Sequence, residues 1–194
     1  MNLLLYGKAG TGKTSAASVL ANGCSVYDAS TALKEADSVV QQRLESFATS
    51  ASIECVPKVL LINEIDRMSR KVQLSMLDLI EKCQGTTRFV FTTNSVNKVI
   101  GGIRSRCQCV SFDVVANEKD ELIRRAILRY EDRLPSLGFQ YDSKRLSQIV
   151  SIYYPDYRAI ANQIQFEFKK KAVEPPIPFH QRFSPWVFLC SKLN

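Results

Sequence analysis

The segment Gly7-Lys8-Ala9-Gly10-Thr11-Gly12-Lys13-Thr14 restricts this chain more than any other feature. It fits the pattern G-x-x-x-x-G-K-[ST]. It follows an apolar run, Met1 to Tyr6, and opens a helical stretch from Lys13 to about Asn22, with Gly23 as its stop. A triphosphate is a dense anion, and a loop that wraps it closely needs glycines, because side chains would keep backbone N–H groups from pointing inward. The helix that follows turns its positive end toward the same phosphates. The segment is therefore expected to cradle ATP. Lys13 would reach the β- and γ-phosphates, and the Thr14 hydroxyl would bind Mg²⁺.

The rest of the chain supports such a loop. Ser25 to Asp28, Val59 to Ile62, Phe89 to Thr92 and Cys109 to Phe112 read as strands. Between them, Thr31 to about Ser50 places Leu33, Ala36, Val40, Leu44 and Phe47 on one helical face, and Arg70 to Lys82 does the same with Val72, Met76, Leu79 and Ile80. Strands alternating with helices predict an α/β fold, a parallel sheet with helices on both faces. After Phe112 the pattern changes. Glu118 to Leu134, Ser143 to Tyr153 and Asp156 to Lys171 read as three helices, with Leu122, Ala126, Ile127 and Tyr130 inward on the first. The expected organisation is a nucleotide-binding domain over 1–114, a small helical lid over 115–171 and a proline- and aromatic-rich tail over 172–194.

Composition narrows the context. No apolar run reaches the ~18 residues that a membrane span needs, and no basic stretch precedes the short apolar start, so a cytoplasmic protein is expected. The six cysteines form no C-x-x-C pair and there is one histidine, His180, so buried reduced thiols are expected rather than a metal site. The net charge of +7 is uneven: residues 1–66 carry −2 and residues 67–194 carry +9. A basic excess suits a polyanion such as nucleic acid, or merely a solvated face.

Four further places carry chemistry. Lys58 to Asp66 is an apolar strand running into Asn63, Glu64 and Asp66. Ligands of parallel sheets bind beyond the carboxyl ends of the strands, so Asn63 and Glu64 are expected beside the loop. Glu64 is suited to polarise a water for attack on the γ-phosphate; the bland alternative is a solvated carboxylate. Asn94 ends the strand from Phe89, where an amide can bond the γ-phosphate or the attacking water, or simply form a turn. Arg104-Ser105-Arg106-Cys107 precedes the last strand and reads equally as a basic turn. Tyr154-Pro155-Asp156-Tyr157-Arg158 opens the last helix and reads equally as an Asp156 N-cap with a surface arginine.

Taken together, these residues resemble the AAA+ clamp-loader family: the ATPase subunit of the bacteriophage loader and the small subunits of replication factor C. The likeness runs from Gly7 to about Gln163. It rests on the glycine-rich loop, Asp28-Ala29-Ser30, Phe47-Ala48-Thr49-Ser50-Ala51-Ser52, the acidic strand end, Thr93-Asn94, Ser105-Arg106-Cys107 and Pro155-Asp156-Tyr157-Arg158. The resemblance implies roles: Asn94 as first sensor of the γ-phosphate, Arg158 as second sensor from the lid, and Arg106 as an arginine finger on a neighbouring subunit's ATP. It implies Mg-dependent ATP hydrolysis, other loader subunits, a ring-shaped sliding clamp and primer–template DNA as partners, with Lys34, Arg70 and Lys71 as candidate DNA contacts.

Three departures qualify it. Asn63 stands where the family has an aspartate, so metal support through Asn63 would be weakened. The chain starts at its first core strand, and it stops where the family's helical collar would begin, so the collar is expected to be absent. A catalytically weakened subunit that lends Arg106 to a neighbour is one alternative, and another AAA+ ATPase such as a helicase loader is a second.

Overall fold

The computed structural model describes residues 1–22, 24–28, 36–50 and 57–168. Gly23, Ala29, Ser30, Leu33, Lys34, Ala51, Ser52, His180 and the 172–194 tail lie outside the described residues.

Five strands form one parallel sheet: β1 (Leu3–Tyr6), β2 (Ser25–Asp28), β3 (Lys58–Ile62), β4 (Thr87–Thr93) and β5 (Gln108–Ser111), in the order β2-β3-β4-β1-β5. Every residue of β3 is buried, as is most of β4. Continuous apolar runs are what a parallel sheet covered on both faces demands. Successive side chains along a strand point to opposite faces, and the core divides accordingly. Leu4, Leu60, Ile62, Phe89 and Phe91 pack on one face against α2 (Asp37–Thr49), α3 (Arg70–Lys82) and Ile103 of α4 (Gly101–Ser105). Leu5, Val59, Leu61 and Val90 pack on the other face against Ala17 and Ala21, from α1 (Lys13–Leu20) and its end. The expected α/β architecture is the observed one.

The order places β1 between β4 and β5, with Tyr6 level with Thr93 and Ser111. The loop after β1 therefore emerges beside the ends of β4 and β5, a topological switch point where ligands of open α/β sheets bind.

Beyond the sheet, α5 (Lys119–Ser136), α6 (Ser143–Tyr153) and α7 (Tyr157–Glu167) enclose an apolar core of their own, with Ala126, Leu134, Leu146, Ile149, Val150, Ile160 and Ile164 buried in it. Asp142 caps α6 by accepting the Arg145 N–H, and Asp156 caps α7 by accepting those of Arg158 and Ala159. Among the described residues no helix is long and apolar enough to cross a membrane.

Several details differ from expectation. The last helix starts at Tyr157, with Asp156 as the N-cap that one reading of its motif expected, and α2 starts at Asp37. The residues before the last strand form a short helix, α4, rather than a plain turn. The cysteines are not uniformly buried: Cys83 is, but Cys24 and Cys107 are half-buried and Cys109 is exposed. β5 is an edge strand with all four residues exposed, so a thiol on it meets solvent.

Candidate nucleotide site

The loop from Gly7 to Thr14 is built to leave its backbone open. Gly7, Gly10 and Gly12 have φ of 144°, 77° and 90°, a region that L side chains avoid. Two contacts tie the loop down. The Lys8 N–H donates to Asp113 Oδ1 at 3.0 Å, just past β5. The Gly10 carbonyl accepts the Tyr157 N–H at 3.0 Å, at the start of α7. The first contact fixes the loop to the sheet, and the second fixes the helical cluster to the loop.

Lys13 is 7% exposed. Its ammonium donates to the carbonyls of Gly7 at 2.8 Å and Lys8 at 2.7 Å, folding back into the loop it follows. Burial pushes the ammonium below the ordinary lysine value, and the charges of Asp113 and Asp66 oppose that shift. A partly desolvated cation at a helix N-terminus is primed for an anion.

A pocket of about 270 Å³ opens over the loop. Gly10, Gly12, Lys13 and Thr14 form one wall, Glu64, Thr92, Thr93 and Asn94 the strand-end wall, and Tyr157 and Arg158 the helical wall. Four separate stretches of chain thus meet at one concavity, with Glu64, Asn94 and Arg158 all among the residues around it. The Thr14 hydroxyl and the Glu64 carboxylate are hard oxygen donors of the kind Mg²⁺ prefers, alongside substrate phosphate and water.

Glu64 has left-handed backbone, φ 53° and ψ 47°. It is the one non-glycine residue with positive φ among the described residues, and such strain clusters at functional sites. Its carboxylate pairs with Arg67 at 2.6 Å, and its N–H donates to Thr92 Oγ1 at 3.1 Å. Asn63 lies beneath, 6% exposed. Its Oδ1 accepts the Thr92 hydroxyl at 3.0 Å and its Nδ2 donates to Asp28 Oδ1 at 3.2 Å. Asn63 is absent from the residues lining the pocket.

Arg106 is not part of this concavity either. It follows α4, where its guanidinium donates to Glu81 of α3, at 3.0 Å from Nε, and to the Gly102 carbonyl at 3.0 Å. Arg70 and Lys71 are exposed at the first turn of α3.

Sequence reasoning missed Asp113, Thr92 and Glu81. Thr92 sat inside a motif already noted, and a hydroxyl at a strand end beside an acidic strand was its signal. Asp113 and Glu81 had none, because each acts on a residue at least 25 positions away and matters only once the strand order is known.

The comparisons with known proteins agree with this geometry. The family model described as "ATPase family associated with various cellular activities (AAA)" matches residues 3–112. A replication factor C small subunit of Aeropyrum pernix is 31% identical over 172 residues, 84% of this chain and 51% of that protein. Replication factor C subunit 3 of Oryza sativa subsp. japonica is 29% identical over 175 residues, 84% of this chain and 47% of that protein. A replication factor C small subunit of Sulfurisphaera tokodaii is 30% identical over 172 residues, 84% and 51%. The chain spans about half the length of these relatives. With a glycine-rich loop at the switch point of a five-stranded parallel sheet and a family match across that whole unit, the chain belongs to the AAA family of ATPases.

Proposed function

We propose that the chain is an ATP-binding and ATP-hydrolysing subunit of a sliding-clamp loader in DNA replication, working with other loader subunits, a clamp and primer–template DNA. The observation that carries this reading is the single pocket shared by Lys13, Thr14, Glu64, Asn94 and Arg158. Backbone N–H groups of the loop and the Lys13 ammonium bind the β- and γ-phosphates. Thr14 holds Mg²⁺, which when bound neutralises charge on the phosphate oxygens. Glu64 orients and polarises the attacking water. Asn94 contacts the γ-phosphate from the strand end, and Arg158 from the helical side, so that the lid responds to which nucleotide is present.

Arg106 serves a neighbour in this scheme. It stands on an exposed face, outside its own subunit's pocket. A cation presented to developing charge in a transition state is worth roughly 10³–10⁵ in rate. Isolated protein is then slow, and assembly speeds it. The test mixes two inactive variants, Lys13→Ala and Arg106→Ala, with clamp and primed DNA present, under conditions where wild type is active and both variants assemble. Some mixed interfaces pair an intact pocket with an intact finger, so part of the activity returns. A mixture inactive at every ratio refutes the action of Arg106 on a neighbour's ATP.

A further inference from the structure

Asn63 has an explanation other than a lost charge. Four groups form one continuous chain of hydrogen bonds at the ends of three adjacent strands. Asp28, at the end of β2, accepts from the Asn63 amide at 3.2 Å. The Asn63 carbonyl oxygen accepts the Thr92 hydroxyl proton at 3.0 Å. The Thr92 oxygen accepts the Glu64 N–H at 3.1 Å. The chain ends on the strained backbone of Glu64.

We infer that Asn63 is a positioning residue: the Asp28–Asn63–Thr92 relay fixes the backbone of Glu64, and an amide is the group the relay requires at position 63. The chemistry is directional. Position 63 must donate toward Asp28 and accept from Thr92 at once. An amide carries both a donor and an acceptor, whereas an ionised carboxylate only accepts. A carboxylate at 63 would face Asp28 across a hydrogen-bond distance, two like charges with no proton between them. The Thr92 hydroxyl would be drawn out of place, and its hold on the Glu64 N–H with it. Both inner members of the relay are almost fully enclosed, Asn63 at 6% and Thr92 at 2% exposure, so water cannot readily substitute for a lost partner.

This inference rests on Glu64 as the residue that activates water, and it reverses what the sequence alone suggests. If Asn63 were a weakened metal-supporting residue, Asn63→Asp would raise activity. If it centres the relay, Asn63→Asp lowers it, and the exchanged pair Asp28→Asn with Asn63→Asp restores it, because donor and acceptor have merely traded places.

The experiment measures three quantities for wild type, Asn63→Asp, Asp28→Asn and the double exchange: kcat for ATP hydrolysis, affinity for a fluorescent ATP analogue at several Mg²⁺ concentrations, and the melting temperature. Displacing a reacting group by about 1 Å costs on the order of 100-fold in rate. Asn63→Asp is expected to lose about 10–100-fold in kcat with analogue affinity within about twofold of wild type, and to melt about 5 °C lower. The double exchange recovers most of both losses. Asn63→Asp as active as wild type or more so, or a double exchange no better than Asn63→Asp alone, overturns the relay. Failure of the analogue to bind wild type would refute the nucleotide reading instead. The melting temperatures then decide the relay by the same pattern of loss and recovery.

Discussion

At the scale of single residues, the site is defined by what each position excludes. Gly10 is the sharpest case. A Cβ there would lie 1.9 Å from Asp156 Oδ1, and the backbone sits at φ +77°. That carboxylate already accepts the N–H groups of Arg158 and Ala159, and the Gly10 carbonyl accepts that of Tyr157. A methyl group at position 10 therefore meets the cap of α7 from one side and strains the loop from the other. Left-handed strain and a disturbed cap each cost about 1–2 kcal/mol. Gly10→Ala is expected to lower the melting temperature by about 5–10 °C and to weaken binding of an ATP analogue. An unchanged melting curve would mean that the helical cluster does not rest on the loop. Lys13 is held in a similar way: its ammonium donates to the loop carbonyls of Gly7 and Lys8.

At the scale of elements, the last two helices are joined by a clamp between an exposed arginine and a half-buried glutamate. Arg145 of α6 donates to both carboxylate oxygens of Glu167 near the end of α7, at 2.5 and 2.6 Å. Hydrogen bonds from Arg145 and then Gln163 hold the Glu167 carboxyl well below the usual range, at about 2. A carboxyl whose folded value is depressed adds stability above its unfolded value, and that stability is lost as pH falls through the window toward the folded value. The clamp should therefore be at full strength above about pH 4.5 and weaken on the way down to about pH 2. Melting curves recorded across that interval should converge for wild type and Glu167→Gln, having been separated above it. A constant separation would show that the pair is not linked to folding. These helices were legible from their spacing, and Ser143 to Tyr153 agrees with α6 residue for residue. The central strands β3 and β4 were legible as apolar runs, because parallel strands buried on both faces carry no alternation to misread. What the sequence did not disclose was adjacency. That Asp113 would reach Lys8, that Thr92 would stand between Asn63 and Glu64, and that Glu81 would hold Arg106 all follow from strand order and helix packing. No local pattern encodes those.

At the scale of the whole molecule, charge is unevenly spread along the chain. The pocket lies at the carboxyl ends of the strands, while the basic excess belongs to residues 67–194, with Arg70 and Lys71 exposed at the start of α3. Binding of the assembled protein to primed DNA should be independent of sequence and fall steeply between about 50 and 200 mM salt, as phosphate contacts release counterions. Sequence-selective or salt-insensitive binding would contradict a loader. In a clamp loader, nucleotide must first enter the pocket between the glycine-rich loop, the strand ends and α7. The most direct measurement is titration of a fluorescent ATP analogue into wild type and Lys13→Ala, with melting curves to show that both are folded. Loss of charge-assisted hydrogen bonds to two phosphates predicts affinity at least about 100-fold weaker in the variant. Equal affinity in the two proteins would contradict the assignment of the site and everything built on it.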